Sequence, residues 1–264
     1  MRFGILLLCC ATAVPLVHAE PATIEAAYQQ MYNLQFGAAH HTFAEWESQH
    51  PDDPLGPASD AAAYLFSEFD RLHILQAEFF THDDHFITDH KLAPDPAIKK
   101  KFDQAIDDSL RLANLKPQDP NSRFATVLSH GLRSDYQALI EKRYSAAFKE
   151  MKTARSIAEQ LLMDHPEYSD AWVAVGVENY MLSIKPAPIR WLLQLGGGEA
   201  NRTLGIEKLK IAAAKGHFLL PFARLLLAVC ALRDHNTGQA KGILESLARE
   251  FPHNPLYPEE LARL

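Results

Sequence analysis

The sequence predicts an all-α protein built from stacked helical hairpins, and three observations carry that expectation. No stretch shows the strict apolar/polar alternation of a half-buried strand, whereas many show apolar residues at three- and four-residue spacing. Four segments share one template, an alanine, a second position four residues later and a proline eight after that: Ala39, Phe43, Pro51; Ala105, Ser109, Pro117; Ala154, Ala158, Pro166; and Ala240, Leu244, Pro252. Three of these prolines open a second signature, Pro51-Asp-Asp-Pro54, Pro117-Gln-Asp-Pro120 and Pro252-His-Asn-Pro255. Each ends one helix with a residue that cannot continue it, then offers Asp or Asn as N-cap with Pro at the first position of the next.

In chain order, residues 1–19 come first. One Arg, an apolar run from Phe3 to Val17 and the Val17-His18-Ala19 end read as a secretory signal peptide cut after Ala19, which predicts an exported protein, periplasmic or secreted. The run is too short to span a bilayer, and neither Cys9 nor Cys10 has the small residue before it that a lipoprotein anchor wants. Removal would leave Cys230 as the single cysteine, so no internal disulfide could form and the core alone would hold the fold. Loss of Arg2 would also take the formal net charge from −7 to −8, against a nucleic-acid partner, whose phosphates need a basic footprint.

The remainder, residues 20–264, reads as one domain of five hairpins over about 22–52, 55–117, 120–166, 169–215 and 217–252, closed by a short capping helix near 256–264. In the third, Tyr144, Ala147, Phe148, Met151, Ala154, Ala158, Leu161 and Leu162 trace one helix face, with Lys149, Glu150, Lys152 and Glu159 off it. Ala62, Leu65, Phe69 and Leu72 do the same after Pro57. Pro166-Glu-Tyr-Ser-Asp170 keeps the helix stop and the cap but lacks the second proline, and the fourth hairpin ends at Gly216. An alanine where two helices cross lets the backbones approach, and the larger residue four later fills the groove beside it.

These residues resemble the tetratricopeptide-repeat superfamily, as an exported, bacterial-type member. The resemblance implies an α-solenoid whose first helices line a concave groove for a protein or peptide partner. The successive prolines depart from it, standing 66, 49 and 86 residues apart where the family repeats every 34. Residues 176–209, with Gly176, Leu182-Ser183, Pro186, Pro188, Leu192-Leu193, Gly196 and Gly205-Ile206, are loosely similar to the tetratricopeptide proteins of the mitochondrial outer membrane and inclusion-body-clearance group. That second likeness implies a role near membranes or lipid stores.

Candidate site residues fall in four groups. Three strongly apolar first helices carry polar side chains, and Tyr64, Glu68, Arg71, Glu178, Asn179 and Arg224 are expected to line the groove. Arg224, a charge in a greasy helix, should meet a carboxylate such as Glu178 or open into that groove. The segment Ile189–Leu195 after Pro186 and Pro188 is either a core plug or, with Trp191 and Leu192 outward, a contact for a partner or lipid. The stretch THDDHFITDH at 81–90 offers His82, His85, Asp89 and His90 as metal ligands, the basis of a cryptic metal-dependent enzyme. Thirteen histidines in the chain dilute that signal, and a solvated loop at a hairpin turn explains it as well. Gly196-Gly197-Gly198 follows no strand and precedes Glu199, so it is read as a turn and not a phosphate loop. No catalytic or cofactor motif is present, and the expectation is a non-enzymatic binding protein without cofactor.

Overall fold

A computed structural model describes residues 22–75, 92–185, 194–195 and 197–264. Among them are eleven α-helices and no strand: α1 (Ile24–Tyr32), α2 (Phe36–Gln49), α3 (Leu55–Arg71), α4 (Pro96–Ala113), α5 (Pro120–Asp135), α6 (Tyr144–Asp164), α7 (Trp172–Ser183), α8 (Arg202–Lys215), α9 (Leu220–Arg233), α10 (Thr237–Glu250) and α11 (Leu256–Arg263). A π-turn, Tyr136–Ile140, follows α5, and one 3-10 turn, Ser169–Ala171, precedes α7. Each helix packs against the next in the chain, and α3 also meets α5. Each expected span holds two of these helices, and the terminal one holds α11.

The template residues are mostly buried. Ala39, Phe43, Ser109, Ala154, Ala158, Ala240 and Leu244 are buried, while Ala105 is half-buried. Of the three caps expected from the proline signature, Asp119 is the N-cap of its helix, whereas α3 and α11 take Pro54 and Pro255 as N-cap, one residue after Asp53 and Asn254. Asp119 accepts from the Ser122 amide at 2.9 Å with Pro120 at the first helical position, and Asp53 and Asn254 accept from the Leu55 and Leu256 amides at 2.9 and 3.0 Å. Asp170 departs from the expected cap. Its carboxylate takes the backbone amides of His217, Phe218 and Leu219 at 2.9 to 3.2 Å, fixing the turn into α9 and leaving α7 to start from the 3-10 turn without a side-chain cap.

α7 and α8 cross on a pair of glycines. A Cβ on Gly205 would stand 2.7 Å from the Tyr180 nitrogen and one on Gly176 would stand 2.8 Å from the Leu209 Cγ, so each helix occupies the space a side chain of the other would need. Elsewhere four non-glycine residues adopt left-handed backbone: Leu34, His73, Lys142 and His235, at φ 56 to 58°. They stand two residues past α1, α3, the π-turn and α9. Amide bonds such as Ile74 to Phe69 and Asn236 to Ala231, at 2.8 and 2.9 Å, close these ends in the manner of a Schellman cap.

The first helix reaches the last part of the chain. Tyr28 stacks on Phe218 at 5.1 Å and Tyr32 lies 5.3 Å from the Phe251 ring. The Tyr32 hydroxyl donates to the Phe218 carbonyl at 2.9 Å, the Asn254 side-chain amide donates to the Tyr32 carbonyl at 2.9 Å, and the His253 amide donates to Asn33 at 3.0 Å. The two ends of the described chain are therefore joined. One apolar core runs from Ile24 to Tyr257.

Candidate functional site

A cavity of about 1040 Å³ lies inside this joined arrangement. Four of its walls come from helices that precede a turn: Met31 and Tyr32 of α1, Phe66 and Phe69 of α3, Val177, Tyr180 and Met181 of α7, and Phe222, Leu225, Leu226 and Val229 of α9. The end of α5 and the π-turn add Ser134, Asp135, Ala138 and Leu139, and the start of α6 adds Tyr144, Ala147, Phe148 and Met151. Leu256, Tyr257 and Glu260 of α11 complete it. α7 and α9 are strongly apolar over most of their length. They pack on α6, α8 and α10, and Val177, Tyr180, Met181, Phe222, Leu225, Leu226 and Val229 form the apolar wall of the cavity.

Polar groups in the cavity are few. Ser134 donates to the Ala147 carbonyl at 2.9 Å, and Glu141 is held by Lys99 at 3.5 Å and Arg143 at 3.2 Å. Glu260 pairs with Arg263 at 2.9 Å. Lys142, Lys185 and Arg233 also line the cavity, and each is engaged by another group. Burial pushes the Lys142 ammonium down from its usual range, the Cys230 thiol up to about 11 and the Tyr180 phenol up to about 12. Burial pushes the Asp135 carboxyl up to about 7, and the half-buried side chain borders the cavity.

The expected groove residues sit on three of the cavity's helices but not among the residues that line it. Glu68 is fully buried, takes a two-pronged contact from Arg71 at 2.7 and 2.9 Å, and accepts the Asp95 amide at 2.8 Å. Arg71 also donates to the Ala93 carbonyl at 2.6 Å, so the pair ties the entry to α4 onto α3. Glu178 is fully buried and meets Arg155 at 3.4 Å, while Arg155 also pairs with Glu159 and Glu199. Burial raises the Glu178 carboxyl, and Arg155 opposes the rise. Asn179 donates to the Val175 carbonyl at 3.1 Å within α7. Tyr64 stacks on His40 at 3.9 Å, and His40 contacts Asp60 at 2.5 Å. Arg224 pairs with Glu250 at 2.8 Å and not with Glu178, since α10 packs alongside α9 and brings its own carboxylate closer.

Residues 1–19, His82, His85, Asp89, His90, Trp191 and Leu192 lie outside the described residues, so the signal peptide, the 81–90 cluster and most of the Ile189–Leu195 segment are not placed. Among the described residues no group of three or more His, Cys, Asp or Glu side chains is arranged to hold a metal ion, and no helix is long and apolar enough to cross a membrane. Comparisons with family models, curated proteins and solved structures return no match. The geometry therefore has to carry the functional argument by itself.

The groove residues expected from the sequence and the cavity wall share α3, α7 and α9 but are different side chains. Sequence reasoning singled out polar residues in α3, α7 and α9, whereas the cavity is built from their apolar neighbours and from Phe148, Met151 and Asp135 elsewhere. The signal that could have found the wall was the excess of apolar residues in α7 and α9 beyond one helix face.

Proposed function

We propose that this chain is a non-catalytic binding protein, exported after removal of residues 1–19, whose interior cavity receives the apolar part of its ligand. In this reading the eleven helices form a short tetratricopeptide-like solenoid of five hairpins and a cap, drawn round until α1 meets α9, α10 and the turn into α11. The observation that carries the reading is the cavity itself. Its volume, about 1040 Å³, stands at the upper end of the roughly 300–1,000 Å³ typical of small-molecule sites. Its walls are phenylalanine, leucine and methionine, and methionine adapts to ligands of more than one shape. The wall is drawn largely from the first helix of each pair, the ones that face the groove in the superfamily the sequence resembles.

This reading puts the ligand in the cavity, where the sequence alone had favoured an extended peptide or a small polar ligand along Tyr64, Glu68, Arg71, Glu178, Asn179 and Arg224. Tyr64, Glu68, Arg71 and Arg224 are engaged within the chain, and Glu178 and Asn179 are buried away from the cavity with one oxygen each unpartnered, which supports the cavity over the groove as the working site. The test is titration of the delipidated protein with a fluorescent long-chain probe. Binding is expected in the wild type and a loss of about tenfold or more in Met181→Trp and Leu226→Trp, which fill the void, with Arg224→Ala unchanged. Equal affinity in all four proteins would remove the cavity from consideration and return the search to the outer surface.

A further inference from the structure

The cavity has one charged group that its own walls leave unanswered. Of the acidic side chains lining it, Glu141 is held by Lys99 and Arg143 and Glu260 by Arg263. The lining bases Lys142, Lys185 and Arg233 are likewise engaged. The Asp135 carboxylate makes no hydrogen bond and no ion pair among the described residues, and it borders a space walled by Phe148, Met151, Met181 and Leu226. Asp135 is half-buried, and a carboxylate partly withdrawn from water without a partner carries a desolvation cost that a ligand supplying the partner would offset.

The backbone adds to the same preference. Asp135 is the last residue of α5, where the carbonyl end of the helix carries partial negative charge and disfavours a second negative group. Immediately after it the chain enters the π-turn Tyr136–Ile140 and then the left-handed Lys142. Such turns are rare and recur at functional sites, and this one sets Ala138 and Leu139 in the cavity wall beside Asp135. The group is thus a carboxyl at a largely apolar cavity, on a stretch of irregular backbone, with no ion pair to the three bases that also line it.

We infer that the cavity takes a single long-chain amphiphile with a cationic, amine-type head, the chain lying against the phenylalanine and methionine wall and the head donating to the Asp135 carboxylate. This rests on the cavity being the ligand site, and it adds the head-group class. The carboxyl, raised to about 7 by burial in the free protein, would be drawn down on binding as the charged pair forms. A fatty-acid head would instead meet like charge at this position.

The experiment compares three probes of equal chain length, dodecylamine, 1-dodecanol and dodecanoate, each below its micelle concentration. They are titrated by calorimetry at pH 8 into the delipidated wild type, Asp135→Asn and Met181→Trp. The amine is expected to bind about tenfold or more tightly than the alcohol, the scale of a charge-assisted hydrogen bond, and the carboxylate most weakly. In Asp135→Asn the amine should fall to the level of the alcohol while the alcohol keeps its affinity, and in Met181→Trp all three should weaken together. An amine preference that survives Asp135→Asn, or dodecanoate binding as tightly as the amine in the wild type, overturns the head-group inference and leaves the cavity reading standing. No binding of any probe overturns both.

Discussion

At the scale of single residues, two arginines that look alike in sequence have opposite structural weight. Arg71 answers Glu68, a carboxylate with no exposed surface, through two hydrogen bonds. Arg224 meets Glu250 where both side chains are about a third exposed, at 32% and 35%. Removing a partner from a buried carboxylate costs about 3–5 kcal/mol, whereas exposed ion pairs contribute about 0–1 kcal/mol. Arg71→Ala is therefore expected to lower the urea-unfolding free energy by about 3 kcal/mol or more and Arg224→Ala by less than about 1 kcal/mol. A loss for Arg224→Ala as large as that for Arg71→Ala would contradict this assignment. Both residues stood out in the sequence as charges in apolar helices, but which carboxylate each one meets was not legible. The pairing Arg155–Glu178 joins residues 23 apart in sequence and Arg224–Glu250 residues 26 apart, on different helices, and only their packing selects the partner.

At the scale of elements, the sequence was a good guide to where helices start and stop, because caps and prolines act locally. Asp119 with Pro120 does in the structure what its type predicts, whereas Asn254 stands one residue before the N-cap Pro255 and accepts from the Leu256 amide. Asp170 was misread because its carboxylate reaches 47 residues along the chain to the His217 amide, and a long-range acceptor leaves no local pattern. The four left-handed turn residues were equally hidden, since Leu34, His73, Lys142 and His235 take a conformation that sequence ordinarily marks with glycine. The glycines themselves divide by contact. Gly205 faces the Tyr180 backbone at a distance no Cβ tolerates, while Gly242 in α10 has nothing within 4 Å and is exposed. Gly205→Ala should destabilise by about 1–3 kcal/mol through overpacking, and Gly242→Ala should stabilise by about 0.5–1 kcal/mol through helix propensity. Thermal melts of the two variants should therefore shift in opposite directions, and shifts of the same sign would refute the close approach of α7 and α8.

At the scale of the whole molecule, burial of carboxyls sets the response to pH. Glu47 and Asp135 are each raised to about 7, Glu47 by burial first and then by Asp60 and Asp108, Asp135 by burial. A carboxyl whose folded pKa lies above its unfolded value binds a proton more tightly when folded. Its contribution to stability is thus fully present below the unfolded pKa and is lost as pH rises through about 7. For these two groups stability is expected to decline from pH 5 to pH 8, and Glu47→Gln with Asp135→Asn should flatten that decline. Midpoints of chemical unfolding that rise from pH 5 to pH 8 in the wild type, or a slope unchanged in the double variant, would disprove it. The same scale holds the feature that makes a cavity possible. Tyr28 and Tyr32 of α1 contact Phe218 and Phe251, so helices from both ends of the described chain border the cavity.

The sequence by itself determined the helices, many of their ends, and the small residues they bury, because propensity, capping and proline geometry are decided within a few residues. It also determined that α7 and α9 carry more apolar surface than one packing face requires. The tertiary structure decided which polar groups meet, where the apolar surplus goes, and that Asp135 ends up at the cavity without a partner. These depend on contacts between residues far apart in the chain, such as Asn254 with Tyr32 at 2.9 Å, and no local pattern encodes a distance between two ends.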